Sequence, residues 1–405
     1  MRISPISKAV VIGAAAVLAL AACSNGSSKS SGSGLAAGGA SGSGSSSNCN
    51  GTGSTYKIAF QGPLTGDNKQ LGINELNGTM LAVDEAIASK KLCFTLAPLL
   101  QSDDLGTAAG APAAAAAILQ DPAVMGVVGP SFSGATAAVG AKYSQAGLAL
   151  ISPSATNETL TSQGFTTFHR IVPTDGVEGK ATADYLAKKF KSVFVIDDAS
   201  TYGQGVAKVV ADELKSKGVT VQTQSIAPTT DYSGIATQVA SAKTQAMYYG
   251  GYDAQAGLLA KALKAANYSG FEISGNGGKS AVFSSTAGAA GDGYYFACGC
   301  LDATTAPAAK AFNTAYQAKF NTPPSTYSPE AYDAANAMIQ AISDAQKSGS
   351  VTRATVESAV NALDYKGITT EVKFQSNGEV AQATVNLYEQ KDGKIALLGN
   401  IVDQP

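Results

Sequence analysis

At 405 residues, with 45% hydrophobic and only 14% charged side chains, the chain is too long for one ordinary core and too apolar to be disordered. That balance suits buried, parallel-type strands and leads us to expect two lobes. A net charge of −2 supplies no field for nucleic acid or an anionic membrane surface, so any membrane association has to come from a covalent or inserted anchor.

The N-terminus offers such an anchor. Arg2 and Lys8 form a positive start, and residues 9–22 make an apolar run too short to span a bilayer comfortably. The run ends in Leu20-Ala21-Ala22-Cys23, which resembles a bacterial lipobox. The likeness implies a signal peptide over 1–22 and lipidation at Cys23. A short transmembrane anchor or an ordinary secretory signal is the plainer alternative, but the cysteine stands where the apolar run stops. Residues 23–54 are almost all Gly, Ser, Ala and Asn after that cysteine, and cannot bury enough surface to offset the entropy of ordering them. They are expected to form a tether with a reach of roughly 30 Å.

From residue 56 short apolar runs alternate with longer, Ala-rich stretches of helical spacing. The runs at 56–60, 92–99, 124–128 and 148–151 read as strands, as do those at 193–196, 219–225, 246–249, 271–274 and 294–297. Between them, 75–89, 133–146, 177–190, 205–217 and 254–266 read as helices. This repetition predicts parallel sheets covered by helices, with ligands outside the carboxyl ends of the strands. Residues 306–320, 330–347 and 352–362 then read as consecutive helices. A strand at 371–374, a Ser376-Asn377-Gly378 turn and two last strands near 384–389 and 395–398 follow.

With Cys23 set aside, Cys49, Cys93, Cys298 and Cys300 are an even number for an oxidising compartment. Cys49 precedes the first strand and Cys93 lies in the second, so parallel neighbours could bring them together. Cys298-Gly299-Cys300 would then close a local bridge. Metal binding is its rival, but the chain has one histidine and no second cysteine pair of metal-site spacing. No metal or cofactor is expected.

Enzymatic motifs are missing. The single histidine, His169, sits beside Arg170 in an apparent strand with no motif around it and reads as structural or inter-lobe. Gly129-Pro130-Ser131-Phe132-Ser133 places a serine where a nucleophile elbow needs its second glycine. Gly277-Gly278-Lys279-Ser280 matches the end of a P-loop, but Ile273 stands where the first glycine belongs. A rim of Ser, Thr and Tyr without a proton-transfer group points to a binder.

Gly129-Pro130-Ser131-Phe132-Ser133, Ile151-Ser152-Pro153-Ser154-Ala155-Thr156-Asn157, Tyr202-Gly203-Gln204-Gly205 and Tyr248-Tyr249-Gly250-Gly251-Tyr252 follow strands in that order. Together they resemble the leucine/isoleucine/valine-binding family of type I periplasmic binding proteins, from about residue 55 to the C-terminus. The resemblance implies an α/β fold of two Rossmann-like lobes with parallel-sheet cores, 55–173 plus 301–380 and 174–300 plus 381–405. Three hinge crossings, near Pro173, Cys298–Cys300 and 378–381, would join them.

By itself, Ser133 begins a helix after a strand and is equally a plain N-cap or an anion holder. The resemblance implies that Ser133, Ala155 and Thr156, with the turn at Ser154, hold a ligand α-carboxylate, that Tyr202 and Tyr252 cover the ligand, and that Tyr327 lines its side-chain pocket. Two positions depart from the family. Asn276 stands where a glutamate contacts the amino group, so either another carboxylate compensates, with Asp253 and Glu330 as candidates, or the ligand lacks an α-amine. Leu71 replaces a larger aromatic, which predicts a roomier pocket. The implied function is an extracytoplasmic, lipid-anchored substrate-binding protein that captures an amino acid or related carboxylate for an ABC importer permease. A sensory protein that shows its closed state to a receptor is the alternative from another class; a hydrolase lacks its base.

Overall fold

The structure is a computed structural model that describes residues 53–381 and 384–405. The signal peptide, Cys23, the tether up to residue 52 and Cys49 lie outside the described residues. The chain forms β1 (Thr55–Gly62), α1 (Lys69–Ser89), β2 (Thr95–Leu96), β3 (Leu100–Asp103), α2 (Ala111–Gln120), β4 (Val124–Val128), α3 (Ser133–Gln145), β5 (Ala149–Ser152) and β6 (Phe168–Arg170). Next come α4 (Asp175–Lys189), β7 (Ser192–Asp197), α5 (Thr201–Ser216), β8 (Thr220–Ser225), α6 (Ser233–Ala242), β9 (Ala246–Gly250), α7 (Asp253–Ala265), β10 (Phe271–Ser274), α8 (Ala281–Ala287) and β11 (Tyr294–Cys298). The last part holds α9 (Lys310–Phe320), α10 (Ser328–Lys347), α11 (Arg353–Asn361), β12 (Tyr365–Lys366), β13 (Glu371–Val372), β14 (Asn386–Lys391) and β15 (Lys394–Asn400).

Two sheets carry the two lobes. The first runs β2-β1-β4-β5-β6, with β3 also beside β1, and all its pairs are parallel. The second runs β15-β14-β11-β10-β9-β7-β8; its centre is parallel, and β14 and β15 add an antiparallel edge. Alternation along β1 explains the first lobe. Ile58 and Phe60 pack with α1, α10 and α11, whereas Ala59 faces α2 and α3 on the other side. In β7, Val193 to Ile196 are all buried, as a strand covered on both faces requires.

Some elements differ from the sequence reading. The strand expected over 92–99 is instead the short β2 and the separate β3, because Pro98 between them has no N–H to give a ladder. Helices α2, α6 and α8 fall outside the helical stretches read above. In α2 the buried face is Ala111, Ala114, Ala115 and Ile118, but its exposed positions are alanine too, so no contrast marks the face.

The chain passes between the sheets three times: at Pro173 between β6 and α4, at 298–301 after β11, and between Val380 and β14. Cys298 and Cys300 are disulfide-bonded within the second passage. Gly299 between them lies so close to Pro173 that an added Cβ would overlap the proline ring, so the first two passages are in contact. Cys93 is a disulfide-bonded cysteine; Cys49, its expected partner, is not among the described residues. His169 is buried within the first lobe, its ring held by the Leu150 carbonyl and the Asn361 side chain at 3.2 Å each. Its place is structural. Among the described residues no helix is long and apolar enough to cross a membrane.

Candidate functional site

The carboxyl ends of the two sheets face each other across the cleft, and seven of the residues singled out in the sequence meet there. Leu71, Ser133, Ser154 and Tyr327 from the first lobe and Tyr202, Tyr252 and Asn276 from the second line one cavity, together with Phe132 and Gly277. Each stands where a loop follows a strand or a helix begins, apart from Leu71 on α1. The space left at the centre is ≈ 10 Å³, room for about one water molecule.

The roomier pocket expected from Leu71 is therefore not found. Phe132 occupies it: its ring stacks on Tyr252 of the other lobe, centroids 4.3 Å apart and planes 23° from parallel, and Tyr252 in turn meets Tyr202 at 5.4 Å. Leu71, Phe132 and Tyr327 thus belong to the same buried apolar cluster as the second lobe's core. The lobes are closed on one another. Tyr327 holds this position from a left-handed backbone, φ 68°, a conformation that costs a non-glycine residue about 1–3 kcal/mol and is commonest at functional sites.

On the first lobe, α3 opens at Ser133 with no side-chain cap, and its first bonded amide is Thr136 N–H to Phe132 O. The N–H groups of its first turn make this an anion-favouring end. The Ser133 hydroxyl accepts from Asn157 N–H at 3.2 Å, which leaves its own proton to give. Ala155 and Thr156 do not line the cavity. The Ala155 N–H, expected to hold a carboxylate, donates to Ser152 Oγ at 3.0 Å, and its carbonyl accepts from Arg170 Nη1 at 3.0 Å. The Ser154 hydroxyl donates to Ser131 O at 2.6 Å. The Thr156 hydroxyl, buried beside the Asp175 carboxyl, meets no partner at hydrogen-bonding geometry.

On the second lobe the Tyr202 hydroxyl accepts from Gly277 N–H at 3.1 Å. Neither acid considered as a substitute for the missing glutamate lines the cavity. Asp253 accepts from Ser280, and Glu330 accepts from Leu301 N–H at 2.7 Å. The carboxylate that meets Asn276 is Glu178, in the first turn of α4. It accepts from Asn276 N–H at 3.0 Å, from Asn276 Nδ2 at 2.9 Å and from Gly299 N–H at 3.3 Å. Ninety-eight residues separate the pair, so no local pattern could reveal it.

Buried carboxyl groups lie behind the cavity wall, Glu75, Asp175 and Glu178 among them. Burial pushes Glu75 and Asp175 up to about 8 and Glu178 up to about 7, hydrogen bonds from Ser131 and from Asn276 opposing the rise at Glu75 and Glu178. No residue lining the cavity is Lys or Arg. Its chemistry is thus an apolar, aromatic box with hydroxyl and amide donors on one side, an amide carbonyl on the other and buried carboxyl groups of raised pKa behind.

Residues 55–394 match the family model described as periplasmic binding protein. The Leu/Ile/Val-binding protein BraC3 of Rhizobium johnstonii is 31% identical over 351 residues, 84% of this chain and 92% of that protein. The branched-chain amino acid transporter substrate binding protein LivJ from Streptococcus pneumoniae, solved in complex with isoleucine, is 28% identical with a TM-score of 0.77, covering 85% of this chain and 99% of that one. The leucine binding protein LivK of Thermotoga maritima is 22% identical and superposes with a TM-score of 0.79 over 86% of this chain and 99% of its own, a likeness of fold.

Proposed function

Since this chain belongs to the periplasmic binding protein family, a family of extracytoplasmic substrate-binding proteins rather than enzymes, we propose that it captures an amino acid, or a closely related small carboxylate, for an ABC importer. The observation that carries this reading is the convergence of Ser133, Tyr202, Tyr252, Asn276 and Tyr327 on one enclosed cavity between two lobes. The ligand's carboxylate lies against the Ser133 hydroxyl and the first-turn amides of α3, and its side chain lies among Leu71, Phe132, Tyr252 and Tyr327 once the Phe132–Tyr252 stack has moved apart, since the cavity as it stands holds about one water. Residues 55–173 with 301–380 and residues 174–300 with 381–405 move as two bodies about the three passages. Ligand enters when they part, and the bound state is favoured because only closure gives it contacts with both.

Titration calorimetry of the purified protein against a panel of the common amino acids tests this. A branched-chain member such as L-leucine is expected to bind, and Ser133→Ala to weaken that binding about 10–100-fold, the loss of one hydrogen bond to a charged group. Undiminished affinity in Ser133→Ala removes the carboxylate site from where we place it.

The same reading puts the protein on the outer face of a membrane, held through lipid on Cys23, with a permease as the partner that reads the closed form. Cell fractionation is the check. The wild-type chain is expected in the membrane pellet and Cys23→Ser in the soluble fraction; pelleting of both would exclude a lipid anchor at that residue.

A further inference from the structure

We infer that recognition of the ligand's amine is relayed in this protein: Asn276 presents its Oδ1 to the ammonium because Glu178, a carboxylate that does not line the cavity, holds the rest of the asparagine. The inference rests on the amino-acid reading above and deepens it.

The geometry is specific. An ionised carboxylate only accepts, so the end of the Asn276 amide that faces Glu178 Oε2 at 2.9 Å is its NH₂. Glu178 Oε1 takes the Asn276 backbone N–H at 3.0 Å, so both ends of the residue are fastened to one carboxyl. The side-chain oxygen is the group left over, and Asn276 is part of the cavity wall. Without Glu178 the amide could rotate and offer the cavity a donor instead, which repels an ammonium.

Electrostatics point the same way. Glu178 is fully buried, meets three N–H groups and, among the described residues, pairs with no lysine or arginine. The groups that face it are Asp175 from its own helix and the phenols of Tyr202 on α5, Tyr248 on β9 and Tyr327 before α10. None supplies a positive charge. A buried anion without a counter-ion is costly. A ligand ammonium at Asn276 Oδ1 would lie about 6–7 Å from the carboxylate, close enough in a dry cleft to offset part of that cost. Glu178 also accepts from Gly299 N–H, between the disulfide-bonded cysteines, so the carboxyl that orients Asn276 also grips the second passage between the lobes.

The sign with pH follows. Burial raises Glu178 to about 7 from the usual carboxylate range. Below that the relay is protonated and stops favouring a cation; above it the charge is in place. Binding of an ammonium therefore pulls a proton off Glu178 near neutrality, whereas a ligand without an amine leaves it on.

The test is calorimetry with L-leucine and its des-amino analogue 4-methylpentanoate, from pH 5.5 to 8.5 and in two buffers of different ionisation enthalpy. For the wild type we expect leucine to be preferred by about 30-fold at pH 8 and the preference to shrink as pH falls through 7. Proton release should accompany leucine but not the analogue. Glu178→Gln is expected to bring the two ligands to within about threefold and to remove the part of the pH dependence centred near 7, leaving that of Glu75 and Asp175 nearer 8. An unchanged preference and pH profile in Glu178→Gln overturns the relay. So does leucine binding without proton release in the wild type, a measurement that needs no variant to fold. A wild type that binds no amino acid of the panel overturns the amino-acid reading itself, and the relay with it, whereas leucine binding that ignores Glu178 overturns the relay alone.

Discussion

Tyr252→Ala is expected to weaken L-leucine binding by about 10²–10³-fold, while Tyr252→Phe stays within about threefold of wild type. The ring is 9% exposed and forms the centre of the closed cleft, stacked on Phe132 and touching Tyr202. Removing a buried aromatic of this size costs about 3–5 kcal/mol, of which the aromatic pair itself supplies about 0.5–1.5. In the open form proposed above the same ring would face water, so the loss would fall on the closed state. That is what turns a packing defect into an affinity defect. Titration calorimetry on the three proteins decides it. Full affinity in Tyr252→Ala would mean that the cleft does not close over ligand through this residue.

Arg170→Met is expected to lower stability by about 3–5 kcal/mol and the melting temperature by about 5 °C. Arg170 is fully buried at the end of β6. Its Nε and Nη2 donate to the two oxygens of Glu379 at 2.9 and 2.6 Å, and Nη1 donates to the carbonyls of Ala155 and Asn157 at 3.0 and 2.8 Å. One guanidinium therefore ties the turn behind Ser154 to the third passage between the lobes. The methionine would fill much of the volume but leave Glu379 without its cation, with only the Thr161 hydroxyl still donating to it, and the Ala155 carbonyl without a donor, and these losses account for most of the cost. Arg170→Met/Glu379→Leu should recover part of it, since no buried charge is then left unpaired, although the Ala155 carbonyl still lacks its donor. Thermal unfolding followed by circular dichroism is the measurement. A melting point within about 1 °C of wild type for Arg170→Met would show the network to be energetically idle.

Much of the fold was legible because it depends on local pattern. Runs such as 124–128 and 271–274 coincide with β4 and β10, where short apolar segments sit between helical stretches and turn residues. Legibility stopped where the pattern lost contrast, as in the alanine-clad α2, or where one residue broke a run, as Pro98 does between β2 and β3. The candidate site shows the same division. Ser133, Tyr202 and Tyr252 each stand just past a strand, where such sheets present residues to a ligand, but position alone leaves Ser133 equally a plain N-cap, and it is the family resemblance that marks the three. Phe132 lay inside a motif noticed for its serine, and its ring matters only because a tyrosine from the other lobe lies against it.

The amino-acid order by itself determined two α/β lobes and the loops that face the cleft, because strand period, helix period and turn residues act over a few neighbours. Tertiary structure decided which of those loops touch. It set Glu178 behind Asn276, stacked Phe132 on Tyr252 and turned the Ala155 amide towards Ser152. Such partners are fixed by how two bodies close on each other, and the free energy of that closure belongs to residues far apart in the chain, so no window of sequence contains it.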